Sequence, residues 1–263
     1  MEDSDLSLKL DRLEEERVTA LSGVFRPLIL LFYWFFPKAC DDPAIMQGLL
    51  SGIDPSLRYK PASHISKNEF VSTNMFRNIS RYKGCNLITG KIGATDVRFS
   101  MAHAEEKCKR EVTDSKGRKR TEVYYATVFC GVIFSADFNK NITGLTTVSS
   151  SGLFDGSNVK LENPVFNKFF SVSSSDQIEA RYILTPSLME RLVEAREKFG
   201  AISLSFNGEK VFLALPMPYE SFDLQARSSA TVHSQAEILR AKLKSIIGLV
   251  DDLDLNTRIW TKK

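Results

Sequence analysis

The chain has 263 residues, 43% hydrophobic and 25% charged, with 18 Phe and a net charge of +3. That is long enough to bury a large, ring-rich core, and the composition is ordinary for a globular protein. Cys40, Cys85, Cys108 and Cys130 form no CxxC pair, which excludes a zinc ribbon or a redox motif of that kind and fits reduced thiols.

The first segment is acidic, with Glu2, Asp3, Asp5, Asp11, Glu14, Glu15 and Glu16 against Lys9, Arg12 and Arg17. Such a start does not suit a secretory signal or transit peptide, so a cytoplasmic setting is expected. Leu6, Leu10, Leu13 and Leu21 recur at helical spacing, which predicts a helix over 1–22 that packs on another helix.

Next comes the most apolar tract, uncharged from Pro27 to Pro37 between Arg26 and Lys38. At helical rise such a run reaches roughly half the hydrocarbon thickness, which excludes a single conventional membrane span. Two readings stand: a buried core helix, or an interfacial anchor. In the second, Arg26, Phe32, Tyr33, Trp34, Phe36 and Lys38 contact the membrane, rings at headgroup level and cations on anionic lipid. Nine consecutive apolar residues surround a helix on every side, so 28–36 is expected to be only partly covered. Leu28, Leu31, Phe32 and Phe35 would face inward, and Ile29, Tyr33 and Phe36 would lie on an open face. Asp41, Asp42 and Pro43 open a short helix, closing a helical region over 1–52 ahead of a larger domain over 53–263.

From Cys85 the pattern turns to strands. Short β-favouring runs over 87–104 are broken by Gly90 and Gly93, and 123–136 is apolar on both faces, as a central, doubly covered strand would be. Between them Lys107, Lys109, Arg110, Lys116, Arg118, Lys119 and Arg120 make a basic loop about a turn at 114–117, so the pair forms a long hairpin. Further on, 144–150 is a strand, 164–170 a short helix and 177–184 a strand. Thr185 and Pro186 start a helix with Leu188, Leu192, Ala195 and Phe199 on one face, stopped at Gly200. A hairpin turns at Asn207 and Gly208, and a final helix over 231–253 carries Leu239, Leu243, Ile246, Val250 and Leu253 on one seam. The fold class expected is α+β: mostly antiparallel sheet packed with helices, a helical N-terminal extension and a long C-terminal helix.

Three stretches, 128–148, 159–192 and 251–263, resemble the bacterial domain-of-unknown-function family 3137. Phe134, the run Asp137, Phe138, Asn139, Lys140, then Glu162, Phe169, the run Ala180, Arg181, Tyr182, and Thr185 with Pro186 fall where that family's pattern has them. The likeness runs from about Tyr59 to the C-terminus. It implies no activity or cofactor. It does imply membrane proximity, since many members look like proteins with a hydrophobic N-terminal region, although the tract of this chain is too short to span.

No catalytic signature is present: there is no phosphate loop and no nucleophile elbow. His103, Glu105, Glu106 and Cys108 split between two faces of a strand, so no metal site is expected. Asp252, Asp254 and Asn256 lack the glycine and closing glutamate of a calcium loop and suit a helix end. Asp137, Asn139, Glu162 and Arg181 are the candidate polar pocket, with a buried structural network of Glu162, Arg181 and Tyr182 as the competing expectation.

The leading expectation is a non-enzymatic module, without a cofactor, on the inner face of the plasma membrane. It would bind protein partners through its terminal helices and anionic lipid through the aromatic tract and basic loop. The alternative is a hydrolase-like enzyme using the polar pocket. Nucleic acid is not expected, because the basic loop has no interleaved aromatics for base stacking.

Overall fold

The computed structural model describes residues 3–22, 43–113, 119–138, 140, 142–150, 158–219, 221–224 and 231–256. The tract over 28–36, its flanks Arg26 and Lys38, the turn over 114–117, Arg118 and Asn139 lie outside them.

Eight strands form one sheet: β1 (Arg58–Lys60), β2 (Ile79–Ile92), β3 (Thr95–Thr113), β4 (Lys119–Asp137), β5 (Leu145–Ser150), β6 (Phe170–Ser174), β7 (Ser203–Asn207) and β8 (Lys210–Pro216). Their order is β1-β2-β3-β4-β8-β7-β5-β6, and each neighbouring pair is antiparallel. The helices are α1 (Asp3–Ser22), α2 (Pro43–Ser51), α3 (Lys67–Ser72), α4 (Pro164–Phe169), α5 (Gln177–Ile183), α6 (Pro186–Phe199), α7 (Val232–Ile247) and α8 (Leu249–Asp252). The protein is therefore α+β, with a helix at each end of the described chain.

The sheet buries a core on each face. The larger holds Phe99 and Phe134, with ring centroids 6.0 Å apart, beneath the seam Leu239, Leu243 and Ile246 of α7. Leu6 and Leu10 of α1 and Ile45, Leu49 and Leu50 of α2 belong to the same cluster. The acidic first helix thus packs on another helix, α7, as its spacing predicted. Glu14 accepts a hydrogen bond from the Val232 N–H at 2.7 Å, and His233 meets Asp11 at 2.9 Å. The smaller core, on the opposite face, is aromatic: Phe70 stacks on Phe76 with centroids 5.4 Å apart, and both meet Phe129.

Four expectations are corrected. The stretch 177–184 is the helix α5 rather than a strand. Asp176 caps it by accepting from the N–H groups of Ile178 and Glu179, and only Ala180 and Ile183 are buried, a helical interval. β2 starts before Cys85 and runs unbroken through Gly90, a glycine because the Leu57 backbone crosses there: an added Cβ would lie 3.1 Å from the Leu57 Cα. Gly93, at φ +60°, opens the two-residue turn from Ile92 to Thr95. The β7–β8 turn falls one residue later than predicted, on Gly208 and Glu209, and Gly248 interrupts the last helix between α7 and α8.

Candidate functional site

β3 and β4 have 19 residues each, an extended length of about 60 Å at ~3.3 Å per residue. Their neighbours are shorter. β2 pairs with β3 only as far as Ile79 opposite Glu106, and β8 pairs with β4 only from Gly131 to Asp137. β8 ends at Pro216, and the last bond between the two strands is donated by the Met217 N–H to the Cys130 carbonyl at 3.2 Å. Beyond those points β3 and β4 pair with each other alone, from Lys107 opposite Tyr125 to Thr113 opposite Lys119. A two-stranded ribbon therefore projects from the sheet.

Residues paired across antiparallel strands share a face. One face of the ribbon carries Lys107, Lys109, Lys119, Val123 and Tyr125, and the Arg81 guanidinium sits 3.3 Å over the Tyr125 ring. The other carries Cys108, Arg110, Arg120, Glu122 and Tyr124, with Arg110 bonded to Glu122 at 2.8 Å and lying 5.5 Å over Tyr124. Lys119 meets Glu111 at 3.5 Å, both largely exposed, an arrangement of little energetic weight. Among the described residues, Lys107, Lys109 and Arg120 have no ion-pair partner. Val123 and Tyr124 are 45% and 42% exposed.

At the ribbon's root His103 meets Thr127 at 3.0 Å, and Lys83 lies 4.9 Å over Tyr219. Burial, and next a hydrogen bond with Cys85, raise the Tyr219 phenol well above its ordinary range. Cys85 and Cys108 are free thiols, and Cys130 is half-buried.

Five of the seven basic residues thus stand on strands rather than in a loop; Lys116 and Arg118 lie outside the described residues. The exposed Val123 and Tyr124 also correct the expectation of a doubly covered strand over 123–136. Unbroken coverage on both faces begins at Gly131, where pairing with β8 begins.

The polar-pocket residues are placed apart. Asp137 borders an open groove of about 440 Å³ with Lys91, Asp96, Arg98 and Lys210, and neither Glu162 nor Arg181 lines it. Arg98 is already bonded to Glu69 across that groove's wall. Glu162 and Arg181 pair at 3.6 Å with side chains 82% and 42% exposed, and Tyr182 is half exposed, so the expected buried network is instead a surface pair. Lys140 donates to the Tyr182 carbonyl and sits 4.3 Å over that ring, and burial lowers its pKa. Glu179 accepts from the Thr143 and Gly144 N–H groups at 2.7 and 2.8 Å, pinning the β4–β5 connection to α5. Glu179 is thus held by backbone and Glu162 by a neighbouring cation.

At the chain's end Asn256 accepts from the Ala94 N–H and the Thr95 hydroxyl at 3.2 and 2.9 Å, which ties the C-terminal segment to the β2–β3 turn. His103, Glu105, Glu106 and Cys108 alternate along β3 as predicted.

Residues 127–255 match the family model described as "Protein of unknown function (DUF3137)". That stretch belongs to the DUF3137 family. It is shorter than the span suggested by the motifs, and it begins at the root of the ribbon, so ribbon residues 107–125 precede the DUF3137 match. Among solved structures the chain is similar to the mycobacterial trehalose monomycolate transport factor A, TtfA. The TM-score is 0.42 at 8% identity, over 83% of this chain and 98% of that one. No curated protein sequence matches the chain. The ribbon's exposed Val123 and Tyr124, Arg81 and the open β4 edge were not anticipated.

Proposed function

We propose that the chain is a non-enzymatic binding module on the cytoplasmic face of the membrane, and that its β3–β4 ribbon contacts anionic lipid headgroups. The observation that carries this reading is the ribbon itself. It is a projecting element with Lys107, Lys109 and Arg120 unpaired and with Val123 and Tyr124 exposed between the cations. Near an anionic leaflet each such cation contributes about 1 kcal/mol, and the rings and aliphatic side chains suit the headgroup boundary. Among the described residues no helix is long and apolar enough to cross a membrane, so attachment through this element is peripheral. The aromatic tract supplies a second contact, which lasting peripheral attachment needs. Protein partners are assigned to the outer surface of the terminal helices, where α1 leaves Leu8 and Val18 exposed and α7 leaves Ile238 exposed.

Vesicle flotation tests the reading. The full-length chain should float with vesicles containing phosphatidylglycerol and stay behind with phosphatidylcholine alone. The triple variant Lys107→Glu, Lys109→Glu, Arg120→Glu should lose most of the anionic recovery. Failure of the unmodified chain to float with anionic vesicles would sink the proposal.

A further inference from the structure

Among the described residues, one edge of β4 has no neighbour along the ribbon. The last bond from the β8 side is the Met217 N–H to the Cys130 carbonyl, and from residue 119 to 129 β4 is paired on the β3 side only. An open strand edge is a row of backbone donors and acceptors at the spacing another strand requires. Two features limit where such pairing can occur. Lys119 and Arg120 charge the outer end, and a register shift opposite Ala104 and Glu105, with Val128 as the extra residue, distorts the inner end. Between them lies a regular window, 121–127, with the sequence Thr-Glu-Val-Tyr-Tyr-Ala-Thr.

We infer that this window is the seam of a symmetric dimer, in which β4 of one copy pairs antiparallel with β4 of a second copy about a two-fold axis at Tyr124. The register decides the occupant. Centred on Tyr124, Thr121 faces Thr127, Glu122 faces Ala126, Val123 faces Tyr125, and Tyr124 faces its own counterpart. These are hydroxyl, aromatic and β-branched pairings favoured across antiparallel strands, and no charge stands opposite its own sign. Centring one residue earlier, on Val123, would set Glu122 against Tyr124 and Arg120 against Ala126, and the Val123–Tyr125 pairing would be lost. The basic tips are no obstacle, because they lie at opposite ends of the seam. Residues 119 of the two copies would be roughly 30 Å apart at about 3.3 Å per residue, several Debye lengths at physiological salt. The exposure of Val123 and Tyr124 is explained by the same contact. Paired residues share a face, so Lys107, Lys109 and Lys119 of both copies end on one side of the joined sheet. The inference stands independently of the lipid reading, although a dimer would present that basic face twice. Seven residue pairs make a small interface, so the dimer is weak and concentration-dependent.

Cross-linking without lipid tests the register. Cys108 lies opposite Tyr124 within the ribbon and would capture a new thiol there, so the variants carry Cys108→Ser. Under mild oxidation Tyr124→Cys should give a disulfide-linked dimer. Thr121→Cys and Thr127→Cys should each give little alone and a dimer when mixed. Sedimentation of the unmodified chain should show a dimer forming with concentration, and Tyr124→Lys, which sets two cations face to face on the axis, should abolish it. Cross-linking of Thr121→Cys alone as fast as Tyr124→Cys overturns the register. A dimer that survives Tyr124→Lys overturns the seam. A monomer at every concentration overturns the inference and leaves the edge to an extended segment of another protein.

Discussion

β4 is one strand with two fates. From Gly131 to Ala136 it is flanked by β3 and β8 and covered above and below, and Val132, Ile133 and Phe134 are wholly buried. From Lys119 to Thr127 it has one neighbour, and its apolar side chains face solvent. The two halves differ in composition, since 119–127 carries Lys119, Arg120 and Glu122 whereas 131–136 carries no charge. The reach of other elements divides them at the same place: β8 ends at Pro216, and β2 begins at Ile79. Burial of a strand is decided by its neighbours' lengths as much as by its own sequence.

If that contrast is right, the covered half carries the stability. Phe134→Ala should cost about 3–5 kcal/mol, because it removes a wholly buried ring stacked on Phe99 and leaves a cavity. Urea unfolding measures this, and a cost below that of an ordinary surface change would contradict the packing described. Gly131→Ala comes next, at about 3 kcal/mol. Gly131 holds φ +155°, and an added Cβ would meet the Leu215 carbonyl at 2.1 Å, so β8 would have to move away from β4. Because β8 closes the covered half, this variant should also expose the Phe134 layer to hydrogen exchange.

The sheet's outer strands should respond less. Asn256→Ala loses the bonds that fasten the C-terminal segment to the β2–β3 turn, a loss of about 1–2 kcal/mol. Tyr82→Phe gives a pH signature. Burial, with the Glu69 carboxylate adding, pushes the Tyr82 phenol well above its ordinary 10.0, and its hydroxyl donates to the Ile65 carbonyl at 2.7 Å. A raised folded pKa means that the contribution is complete below pH 10 and is lost as pH rises beyond it. Unfolding curves above pH 10 should therefore fall less steeply for Tyr82→Phe than for the unmodified chain; identical slopes would remove Tyr82 from the account.

The same contrast explains how much was legible beforehand. Local signals were read correctly where one residue decides the structure: Thr185 caps α6, Pro186 opens it, and Leu188 and Leu192 mark its inner face. The long hairpin and the seam of α7 followed from spacing. α5 was missed because Ile178, Ala180 and Tyr182 alternate like a strand, while the deciding Asp176 cap and Glu179 lay just before and within that run. The ribbon was hidden for a different reason. Its exposure depends on where β2 and β8 end, and those ends are set by pairing register, which no local pattern contains. The candidate pocket failed to assemble for the same reason: Asp137 and the Glu162–Arg181 pair sit where the topology puts them, on separate elements.

The smallest expected effect is also the sharpest test of the contrast. Tyr124→Ala removes an aromatic side chain from the same strand as Phe134, only ten positions away. If strand membership governed stability, the two changes would be comparable. Tyr124 is 42% exposed, and the Arg110 guanidinium lies over its ring at 5.5 Å, a contact worth little in water. The change should therefore lie within about 0.5 kcal/mol of the unmodified chain in dilute solution. Any loss that appears only as protein concentration rises would be loss of a contact with a second copy rather than of the fold. A concentration-independent loss of several kcal/mol would mean that the ribbon is packed against the body of its own chain, and the division of β4 into a covered and an open half would have to be abandoned.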